Sequence, residues 1–353
     1  MPQSTMEHDD TRKKGVLLVN LGSPDSPRVA DVKVYLREFL MDPCVIDAPY
    51  PIRKMIVHGF ILPFRPKHSA EAYESIWWDE GSPLLVISRR VLHALRAQVD
   101  RPVALGMRYG NPSIKTALVE LIEQGVEDVF LIPLYPHYAM ATTQTVVDKT
   151  RAVLDELGNP VRLTVMPPFF DDAAYIDALG AGTEESLRWD YDHLLFSYHG
   201  IPERHVKKTD PTGRHCLKHE ACCSTPSAAH TTCYRHQVYC TTEALVQKLE
   251  IPPDAYSVAF QSRLGVDAWL APATAQEIER LARRGVKKLL VVCPAFVADC
   301  LETLEEIGLR GNELFQEAGG EELRLVPCLN DHPAWIEALA SYCTREGAAL
   351  HAA

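Results

Sequence analysis

Eight short apolar runs, accompanied by helical patterns, constrain the fold of this chain more than any other feature. The runs are rich in valine, leucine and isoleucine, as in strands that are buried on both faces. They occupy residues 16–21, 103–107, 129–135, 163–166, 194–198, 257–261, 289–292 and 323–326. Helical patterns lie between most of them or follow them, for example at residues 114–124, 274–284 and 336–343. The alternation predicts parallel strands joined by crossover helices.

The runs form two sets of four, and a similar sequence follows the last run of each set. PPFFDDAAYIDAL begins at Pro167, and PCLNDHPAWIEAL begins 160 residues later, at Pro327. This spacing is far longer than the roughly 20–50 residues of a solenoid repeat. We therefore predict an α/β protein of two similar Rossmann-like lobes, each a roughly four-stranded parallel sheet flanked by helices. The active cleft is expected between the lobes, where two sets of strand ends face each other.

The predicted domain boundaries follow from this division. Residues 1–14 are a polar N-terminal tail, and residues 15–175 are an N-terminal α/β lobe with an apolar lip at about residues 50–78. Residues 176–330 are a C-terminal α/β lobe with a cysteine-rich insertion at about residues 211–234. Residues 331–353 are a C-terminal helix and tail.

Composition and missing motifs exclude several classes of function. The chain has 353 residues and a formal net charge of -11, which disfavours general nucleic-acid binding. The motifs G-x-G-x-x-G after a strand, G-x-x-x-x-G-K-[ST] and G-x-S-x-G do not occur. The first fifteen residues lack the apolar core of a secretory signal, and no apolar run approaches the ~20 residues that span a bilayer. We therefore expect a cytoplasmic protein, whose cysteines bind metal or stay free more often than they form disulfides.

A histidine stands at the end of the fifth apolar run. His199 follows LLFSY and precedes Gly200, so it lies where a buried strand ends. Ligands of open α/β sheets bind at the carboxyl ends of the strands. An imidazole at that place can accept a proton near neutral pH or bind a metal. A histidine that is satisfied by a neighbouring backbone group explains the pattern equally well.

Three carboxylates follow the seventh run, in the segment ADCLETLEEIG. With about 100° per residue, Asp299, Glu302 and Glu306 fall within a helical stripe about 60° wide. The opposite, packed side of this predicted helix contains Leu301, Leu304 and Gly308. Clustered carboxylates suit proton relay and the capture of a hard or borderline cation, because their repulsion raises at least one pKa. On the pattern alone, a solvated helix face is the favoured alternative.

An apolar stretch with aromatic residues lies early in the chain. It contains MIVHGFILPF at residues 55–64 and continues to Tyr73, Trp77 and Trp78. The cations along its flanks are Arg53, Lys54, Arg65 and Lys67. An apolar surface rimmed by cations suits a flat apolar ligand with carboxylate tails, or an anionic membrane surface. A packed helix with basic flanks is the alternative.

Long motifs in this chain resemble those of the ferrochelatase family. They are LLVNLGSPDSP at residues 17–27, GMRYGNP at 106–112, FSYHGIPERH at 196–205, FQSRLGVDAWLAPAT at 260–274 and CPAFVADCLETLEEIG at 293–308. The similarity covers about residues 15–343, and the motifs stand in the order that the family has. The resemblance implies a cytoplasmic enzyme, often membrane-associated, that inserts Fe²⁺ into protoporphyrin IX and releases two protons as haem forms.

The resemblance also implies roles for individual residues. His199 matches the proton acceptor or metal ligand, and Glu302 matches its partner across the macrocycle; both are implied ligands of the Fe²⁺ substrate. Glu306 and Asp299 continue the path of carboxylates. The residues that match pocket-wall positions are Leu21, Arg108, Tyr109 and Trp269. The residues that match the lip over the porphyrin, where propionates are steered, are Tyr73 and Arg65.

A cysteine-rich insertion distinguishes this chain from family members without a cluster. About twenty extra residues lie between Asp210 and Tyr234, with the pattern C-x5-C-C-x9-C formed by Cys216, Cys222, Cys223 and Cys233. Four thiolates satisfy a [2Fe-2S] cluster, which is the favoured interpretation, or a structural zinc. If the metal is zinc, His215, His219 and His230 are further candidate ligands. Because adjacent Cys222 and Cys223 are awkward ligands for one cluster, Cys240 is a possible substitute, and a disulfide or free thiols are the remaining alternative.

Two positions depart from the animal members of the family. Cys300 stands where they carry a histidine, and we interpret it as a small apolar filler more readily than as a soft transient ligand of the metal. Met140 stands where they supply a cysteine to their iron–sulfur cluster. The animal type of cluster is therefore not expected here.

Two other functions are compatible with the same residues. One is a chelatase for a related tetrapyrrole, such as coproporphyrin or a cobalt precorrin. The other is a tetrapyrrole or iron carrier, which would keep the pocket but need neither His199 nor the carboxylates. The predicted partners are the porphyrin and Fe²⁺, with peripheral contact to the inner membrane through the apolar lip as an option. The sequence leaves the oligomeric state open.

Overall fold

Two parallel sheets form the centre of the molecule in the computed structural model, which describes residues 12–263 and 267–345. The first sheet contains β1 (Lys14–Ser23), β2 (Val103–Gly110), β3 (Asp128–Pro133) and β4 (Arg162–Val165). The second contains β5 (His193–His199), β6 (Tyr256–Gln261), β7 (Lys288–Val292) and β8 (Glu322–Leu325). All eight apolar runs of the sequence are therefore strands.

The two sheets have the same topology. Their strand orders are β2-β1-β3-β4 and β6-β5-β7-β8, and every pair of neighbours is parallel. Strand β1 is buried along almost its whole length, as expected of a central strand that is covered on both faces. The predicted fold class, two four-stranded parallel sheets flanked by helices, is confirmed.

Helices surround both sheets. In the first half of the chain they are α1 (Val29–Leu40), α2 (Tyr50–Met55), α3 (Arg65–Glu74), α4 (Pro83–Arg96), α5 (Ile114–Glu123), α6 (Thr145–Glu156) and α7 (Ala173–Glu184). In the second half they are α8 (Glu203–Lys208), α9 (Tyr234–Lys248), α10 (Thr274–Arg283), α11 (Leu301–Thr303), α12 (Asn312–Glu317) and α13 (Pro333–Thr344). Short π-helical segments occur at Ile56–Ile61, Met140–Gln144 and Leu304–Gly311, and 3-10 turns at Ser186–Arg188, Glu220–Cys223 and Ala228–Thr231.

Three helical patterns of the sequence match these helices to within a few residues. Helix α5 begins where predicted because Ser113, its N-cap, accepts a hydrogen bond from the Thr116 N–H at 3.1 Å. Helix α10 begins at the predicted residue, and α13 begins three residues earlier than predicted, at Pro333. A proline at the first helical position costs no hydrogen bond, which explains the earlier start.

The segment that carries the carboxylates differs from the regular helix predicted from the sequence. It begins with the single turn α11 and continues as the π-helix Leu304–Gly311, while Asp299 precedes the N-cap Cys300 and lies outside the helix. The buried residues of the segment are Thr303, Ile307 and Gly311. The predicted packed side, which is only half-buried, is Leu301, Leu304 and Gly308. The prediction was wrong because π-helical turns, with i→i+5 hydrogen bonds, advance by less than 100° per residue.

The two lobes share one hydrophobic core, in which α7 packs against α13. The indole of Trp335 in α13 is fully buried there, with its centroid 5.8 Å from the ring of Phe169 and 6.2 Å from that of Tyr175. At the start of α7, the Asp172 carboxylate accepts the Ala174 N–H at 2.9 Å. Helix α7 crosses the predicted lobe boundary at residue 175, and the boundary itself stays a prediction.

Some predicted features fall on residues that the structure does not describe. Residues 1–11 of the predicted N-terminal tail and residues 346–353 of the predicted C-terminal tail lie outside the described residues. Within residues 12–263 and 267–345, no helix has the length and apolar character that crossing a membrane requires.

Trp335 offers a test of the shared core. Trp335→Ala should lower the free energy of unfolding by about 3–5 kcal/mol, because it removes a fully buried indole and leaves a cavity. Denaturation by urea, followed by circular dichroism, measures this loss. Phe64→Ala is the matched control, since Phe64 is 72% exposed, and should change the same quantity by less than about 0.5 kcal/mol. Equal losses in the two variants would contradict the assignment of the core.

Candidate active site

The end of β5 presents His199 in a defined orientation. The His199 Nδ1 lies 2.6 Å from the Gly200 carbonyl oxygen. A carbonyl only accepts hydrogen bonds, so Nδ1 carries the proton, and Nε2 of the neutral ring is left with a free lone pair. Gly200 is required by close packing, because a Cβ there would lie 2.7 Å from the Gln261 carbonyl oxygen and 3.2 Å from the Trp269 ring. The neighbouring backbone group therefore orients the imidazole and leaves Nε2 as the ring nitrogen that can accept a proton.

Gln261 connects the end of β5 with the segment that carries Glu302. It is paired with His199 in the sheet, and its side-chain amide donates to the Glu302 carbonyl oxygen at 2.7 Å. The other end of this buried side chain accepts the Ser197 hydroxyl at 2.7 Å. His199 and Glu302, which are more than one hundred residues apart in sequence, are therefore held at the same edge of the second sheet.

Three carboxylates surround two buried thiols at this edge. Burial, and after it the charges of Glu302 and Asp299, raise the pKa of the Cys300 thiol well above its ordinary value. Burial and the charges of Asp299 and Glu306 do the same to the pKa of Cys293. Each thiol therefore lies near two of the three carboxylates, and no regular helical stripe arranges them.

Asp299 and Glu306 use their oxygens differently. Asp299 is buried and accepts the Thr303 hydroxyl at 2.9 Å and the Asn330 side-chain amide at 2.7 Å. Glu306 is half-buried and accepts both the backbone N–H of Ser262, at 2.9 Å, and its hydroxyl, at 2.5 Å. Asp299 is thus held by two different side chains, whereas the hydrogen bonds to Glu306 both come from Ser262, just after β6.

The first lobe faces this edge with tyrosines. Tyr73, in α3, and Tyr35, in α1, are buried against each other with ring centroids 6.3 Å apart. Burial raises the pKa of the Tyr73 hydroxyl well above its ordinary value, and the charge of Glu302 adds to the shift. Leu301, next to Glu302, packs against the cluster that contains both tyrosines. The two lobes therefore meet at Glu302.

A buried carboxylate holds the predicted pocket residues Arg108 and Tyr109. Asp42 forms an ion pair with Arg108, and its Oδ2 accepts the Tyr109 hydroxyl at 3.0 Å and the Thr145 hydroxyl at 2.5 Å. The Arg108 Nε donates to the same Thr145 oxygen at 2.6 Å. The charge of Arg108 is compensated by Asp42, and Tyr109 is fully buried.

The remaining predicted substrate residues lie at different depths. Leu21 is half-buried against the same tyrosine cluster, and Arg65 is exposed at the start of α3. Trp269 is half-buried beside Gly200, and its Nε1 has no hydrogen-bond partner among the described residues. Trp269 thus borders the His199 side of the site, Leu21 borders the Glu302 side, and Arg65 lies at the lip.

The four cysteines of the insertion converge in space. Cys216, Cys222 and Cys233 are buried, and the sulfurs of Cys222 and Cys223 lie 4.0 Å apart. Hydrogen bonds from the thiols of Cys223 and Cys216 lower the pKa of Cys233. Within the described part of the chain, however, no group of three or more His, Cys, Asp or Glu side chains is arranged to hold a metal ion as it stands.

Cys240 belongs to a different contact. Its sulfur lies 3.3 Å from Nε2 of His236, one turn earlier in α9, and the His236 ring stacks on that of His230 at 3.6 Å. The ring nitrogens of His215 and His230 both contact the Cys222 carbonyl oxygen, at 2.7 and 3.0 Å. In this arrangement the histidines pack around the thiols and bind backbone oxygens.

Sequence reasoning missed several residues that organise the site. Gln261 carries a weak signal, because a polar residue at the carboxyl end of a buried run has to find a partner. Asp42 and Asn330 carry none, since each is defined by partners far away in the chain. In the sequence, Tyr234 marks only the end of the insertion, yet its hydroxyl donates to the His199 carbonyl oxygen at 2.8 Å.

The sequence matches a family model and named relatives along almost its full length. The family model described as ferrochelatase matches residues 13–346. A ferrochelatase of Pseudomonas fluorescens (strain Pf0-1) is 55% identical over 337 residues, which is 95% of this chain and 98% of the relative. A ferrochelatase of Azotobacter vinelandii is 54% identical over 334 residues, 94% of this chain and 98% of the relative.

A solved structure shares the fold at low sequence identity. SirB from Bacillus subtilis with Fe3+ superposes with a TM-score of 0.53 at 13% identity, covering 94% of this chain and 95% of that one. This similarity shows the two-lobe fold alone. The family model and the relatives, which match almost the full length, show more: the chain belongs to the ferrochelatase family.

Proposed function

We propose that the protein is a porphyrin metal chelatase that inserts Fe²⁺ into protoporphyrin IX, the reaction of its family. The observation that carries the proposal is the orientation of His199: the Gly200 carbonyl engages Nδ1 and leaves Nε2 to accept a proton, at the edge that also holds Glu302. Metal insertion needs acceptors for the two pyrrole protons and a polar group that receives the metal as it loses water. Both kinds of group lie where the two lobes meet.

His199 serves in this proposal as the first proton acceptor. Its Nδ1–H is already engaged with Gly200, so a proton taken up at Nε2 yields an imidazolium whose other N–H keeps its partner. No rearrangement of the ring is needed. Glu302, on the side of the tyrosine cluster, is the proposed partner of His199 across the macrocycle and a ligand of the incoming Fe²⁺.

Glu306 and Asp299 extend this path with separate tasks. Among the described residues, Ser262 alone donates hydrogen bonds to Glu306, and the Glu306 carboxylate is the proposed second site that binds a proton or the metal. Asp299, which is fixed by Thr303 and Asn330, is the proposed immobile carboxylate beside the two buried thiols. Carboxylate oxygens are suitable ligands for a hard or borderline divalent cation, so the position of Asp299 favours the attraction of the metal.

The pocket wall is proposed to consist of Leu21, Trp269, Tyr109 and Arg108. Asp42 neutralises Arg108, so this arginine offers a planar polar surface rather than an unpaired charge. Tyr73 and Arg65 are the proposed contacts of the lip, and only Arg65 is exposed with its charge available for a propionate.

Turnover of porphyrin separates the chelatase from a carrier. The purified protein, mixed anaerobically with protoporphyrin IX and Fe²⁺, should give the metalloporphyrin absorption spectrum over many turnovers. His199→Ala and Glu302→Gln should each lower kcat by about 10²–10³-fold, since each removes a positioned proton acceptor or metal ligand. His93→Ala, on the exposed side of α4, and Glu305→Gln, next to the site on the same segment, are the matched controls.

The outcomes of this experiment are distinct. Spectral shifts by bound porphyrin without turnover would establish a carrier and refute the enzyme. Faster turnover of coproporphyrin or of a cobalt-accepting precursor in a substrate panel would assign the related chelatase activity instead. A loss in the control variants as large as that in the site variants would refute the assigned roles.

We also propose that the apolar lip contacts a membrane surface peripherally. The lip exposes Tyr50, Ile52, Met55, Phe60 and Phe64, each at 47% or more. Lys54, Arg65 and Lys67 are exposed beside them. Exposed apolar side chains with neighbouring cations favour the interface of an anionic bilayer.

Sedimentation with vesicles tests the lip. The double variant Phe60→Ser/Phe64→Ser should bind vesicles of phosphatidylglycerol and phosphatidylcholine at least tenfold more weakly, because two exposed rings are removed. Leu309→Ser, an equally polar change at a residue that is 46% exposed elsewhere, is the control and should not alter binding. Equal binding by all three proteins, or none by the unaltered protein, would refute the membrane contact.

A [2Fe-2S] cluster held by Cys216, Cys222, Cys223 and Cys233 is a further proposal. A tetrahedral metal with metal–sulfur bonds of about 2.3 Å requires sulfurs about 3.8 Å apart, so the 4.0 Å between Cys222 and Cys223 suits two ligands of one metal. The Arg235 guanidinium lies 3.8 and 3.7 Å from these two sulfurs and compensates negative charge there. Such a cluster would supply a one-electron redox centre. To hold it, the four sulfurs of the insertion would have to move closer to one another than they are in this structure.

Metal analysis tests the cluster and its ligands. Protein purified anaerobically should absorb in the visible range and contain about two iron and two sulfide per chain. Cys216→Ser should lose both, whereas Cys240→Ser should keep them, because the Cys240 sulfur is engaged with His236. A colourless protein with about one zinc per chain would replace the cluster by a structural zinc. Absence of both metals would leave the thiols free and refute the proposal.

A further inference from the structure

One peptide unit at the end of β5 is held from both sides. The His199 carbonyl oxygen accepts the Tyr234 hydroxyl at 2.8 Å, and the Gly200 N–H donates to the Gln261 carbonyl oxygen at 2.7 Å. The next carbonyl, of Gly200, is the one that accepts Nδ1 of His199. The direction of the imidazole therefore depends on a backbone turn that Tyr234 fixes from outside the sheet.

Tyr234 is placed for this contact by the core. Its side chain is 5% exposed, and its ring packs edge-on against His137, with centroids 5.8 Å apart. His137 in turn packs edge-on against Tyr198, the residue before His199, at 5.5 Å. Burial lowers the pKa of His137 to about 3, so this ring is neutral and acts as packing. Tyr234 thus contacts the end of β5 both through its hydroxyl and through a shared aromatic neighbour.

The same first turn of α9 is also part of the cysteine insertion. Cys233, one of the four converging thiols, is the N-cap of α9 and directly precedes Tyr234. One turn later, the buried amide of Gln237 donates to the carbonyl oxygens of His230 and Thr231, at 3.3 and 3.0 Å. The oxygen of that amide accepts the Tyr138 N–H of the first lobe at 2.7 Å. A displacement of the thiols therefore has to move the helical turn that carries Tyr234.

We propose that Tyr234 is a positioning residue for His199 and that it transmits the placement of the four cysteines to the site. The proposal rests on the function proposed above, in which His199 acts on the porphyrin. In this proposal the cysteines do not take part in metal insertion directly. They affect His199 through the hydrogen bond from the Tyr234 hydroxyl to the His199 carbonyl oxygen.

Tyr234→Phe isolates this hydroxyl, since the aromatic ring and its packing stay. We expect kcat for metalloporphyrin formation to fall about tenfold, the effect of one lost hydrogen bond on the barrier, while KM for the porphyrin changes less than twofold. Tyr239→Phe, on the same helix, removes a hydroxyl that does not contact His199 and should change neither constant. Porphyrin binding, followed by tryptophan fluorescence, should be equal in all three proteins.

A chemical readout on the metal-free protein does not depend on turnover. The rate at which diethyl pyrocarbonate modifies His199, measured by peptide mass spectrometry, should change at least threefold in Tyr234→Phe and not in Tyr239→Phe. Unchanged His199 reactivity together with unchanged kcat would overturn the positioning role. If the unaltered protein formed no metalloporphyrin at all, the proposed function would fail, and the modification rate would still decide whether Tyr234 orients His199.

A double-mutant cycle tests the transmission from the cysteines. Cys216→Ser disturbs the thiols and keeps the Tyr234 hydroxyl; it should lower kcat when introduced alone but cause no further loss in the Tyr234→Phe background. The modification rate of His199 should follow the same non-additive pattern. Additive losses would overturn the transmission. If Cys216→Ser does not fold, Cys223→Ser, at the half-exposed member of the group, provides the same cycle.

Discussion

The packing of α7 on α13 fixes how the two sheets face each other, and the site depends on it. Each helix follows the fourth strand of its own sheet, so positions 160 residues apart meet directly, with the rings of Tyr175 and Trp335 at 6.2 Å. Tyr175 also donates to the Pro294 carbonyl oxygen at 2.7 Å, in the loop that leads from β7 to Asp299. Because parallel strands all end at the same edge of a sheet, this one interface decides which strand ends oppose one another.

The site combines polar groups whose hydrogen bonds are all made within the protein with groups that can still bind a ligand. Asp42 and Asp299 accept several hydrogen bonds each, and they hold neighbouring side chains and negative charge in place. His199 is different, since a single backbone contact uses its Nδ1 and leaves Nε2 as a base. A buried carboxylate without partners would be costly, so the fixed acids are as necessary to the site as the reacting groups.

The sequence predicts the fold well because strands that are buried on both faces leave an unambiguous apolar run, and all eight were found. It also placed His199 at a strand end. The carboxylate segment was misjudged because local periodicity does not reveal a π-helix, so Asp299 was assigned to a helix that begins after it. Gln261 leaves only a weak signal, and Asp42 and Tyr234 leave none, because their roles exist only through partners that the fold brings from distant parts of the chain.

The insertion shows why added residues at this place affect the site. Its ends are joined by Thr209 and Thr232, where the Thr232 hydroxyl donates to the Thr209 carbonyl oxygen at 2.6 Å, so the strands and helices on either side need not move. The entropy of closing a loop grows slowly with its length, which makes such an insertion tolerable. Its buried residues Cys216, Ala229 and Cys233, however, join the main core, and Cys233 is the N-cap of α9. An insertion that packs against the first turn of α9 necessarily shares that turn with Tyr234, and through it with His199.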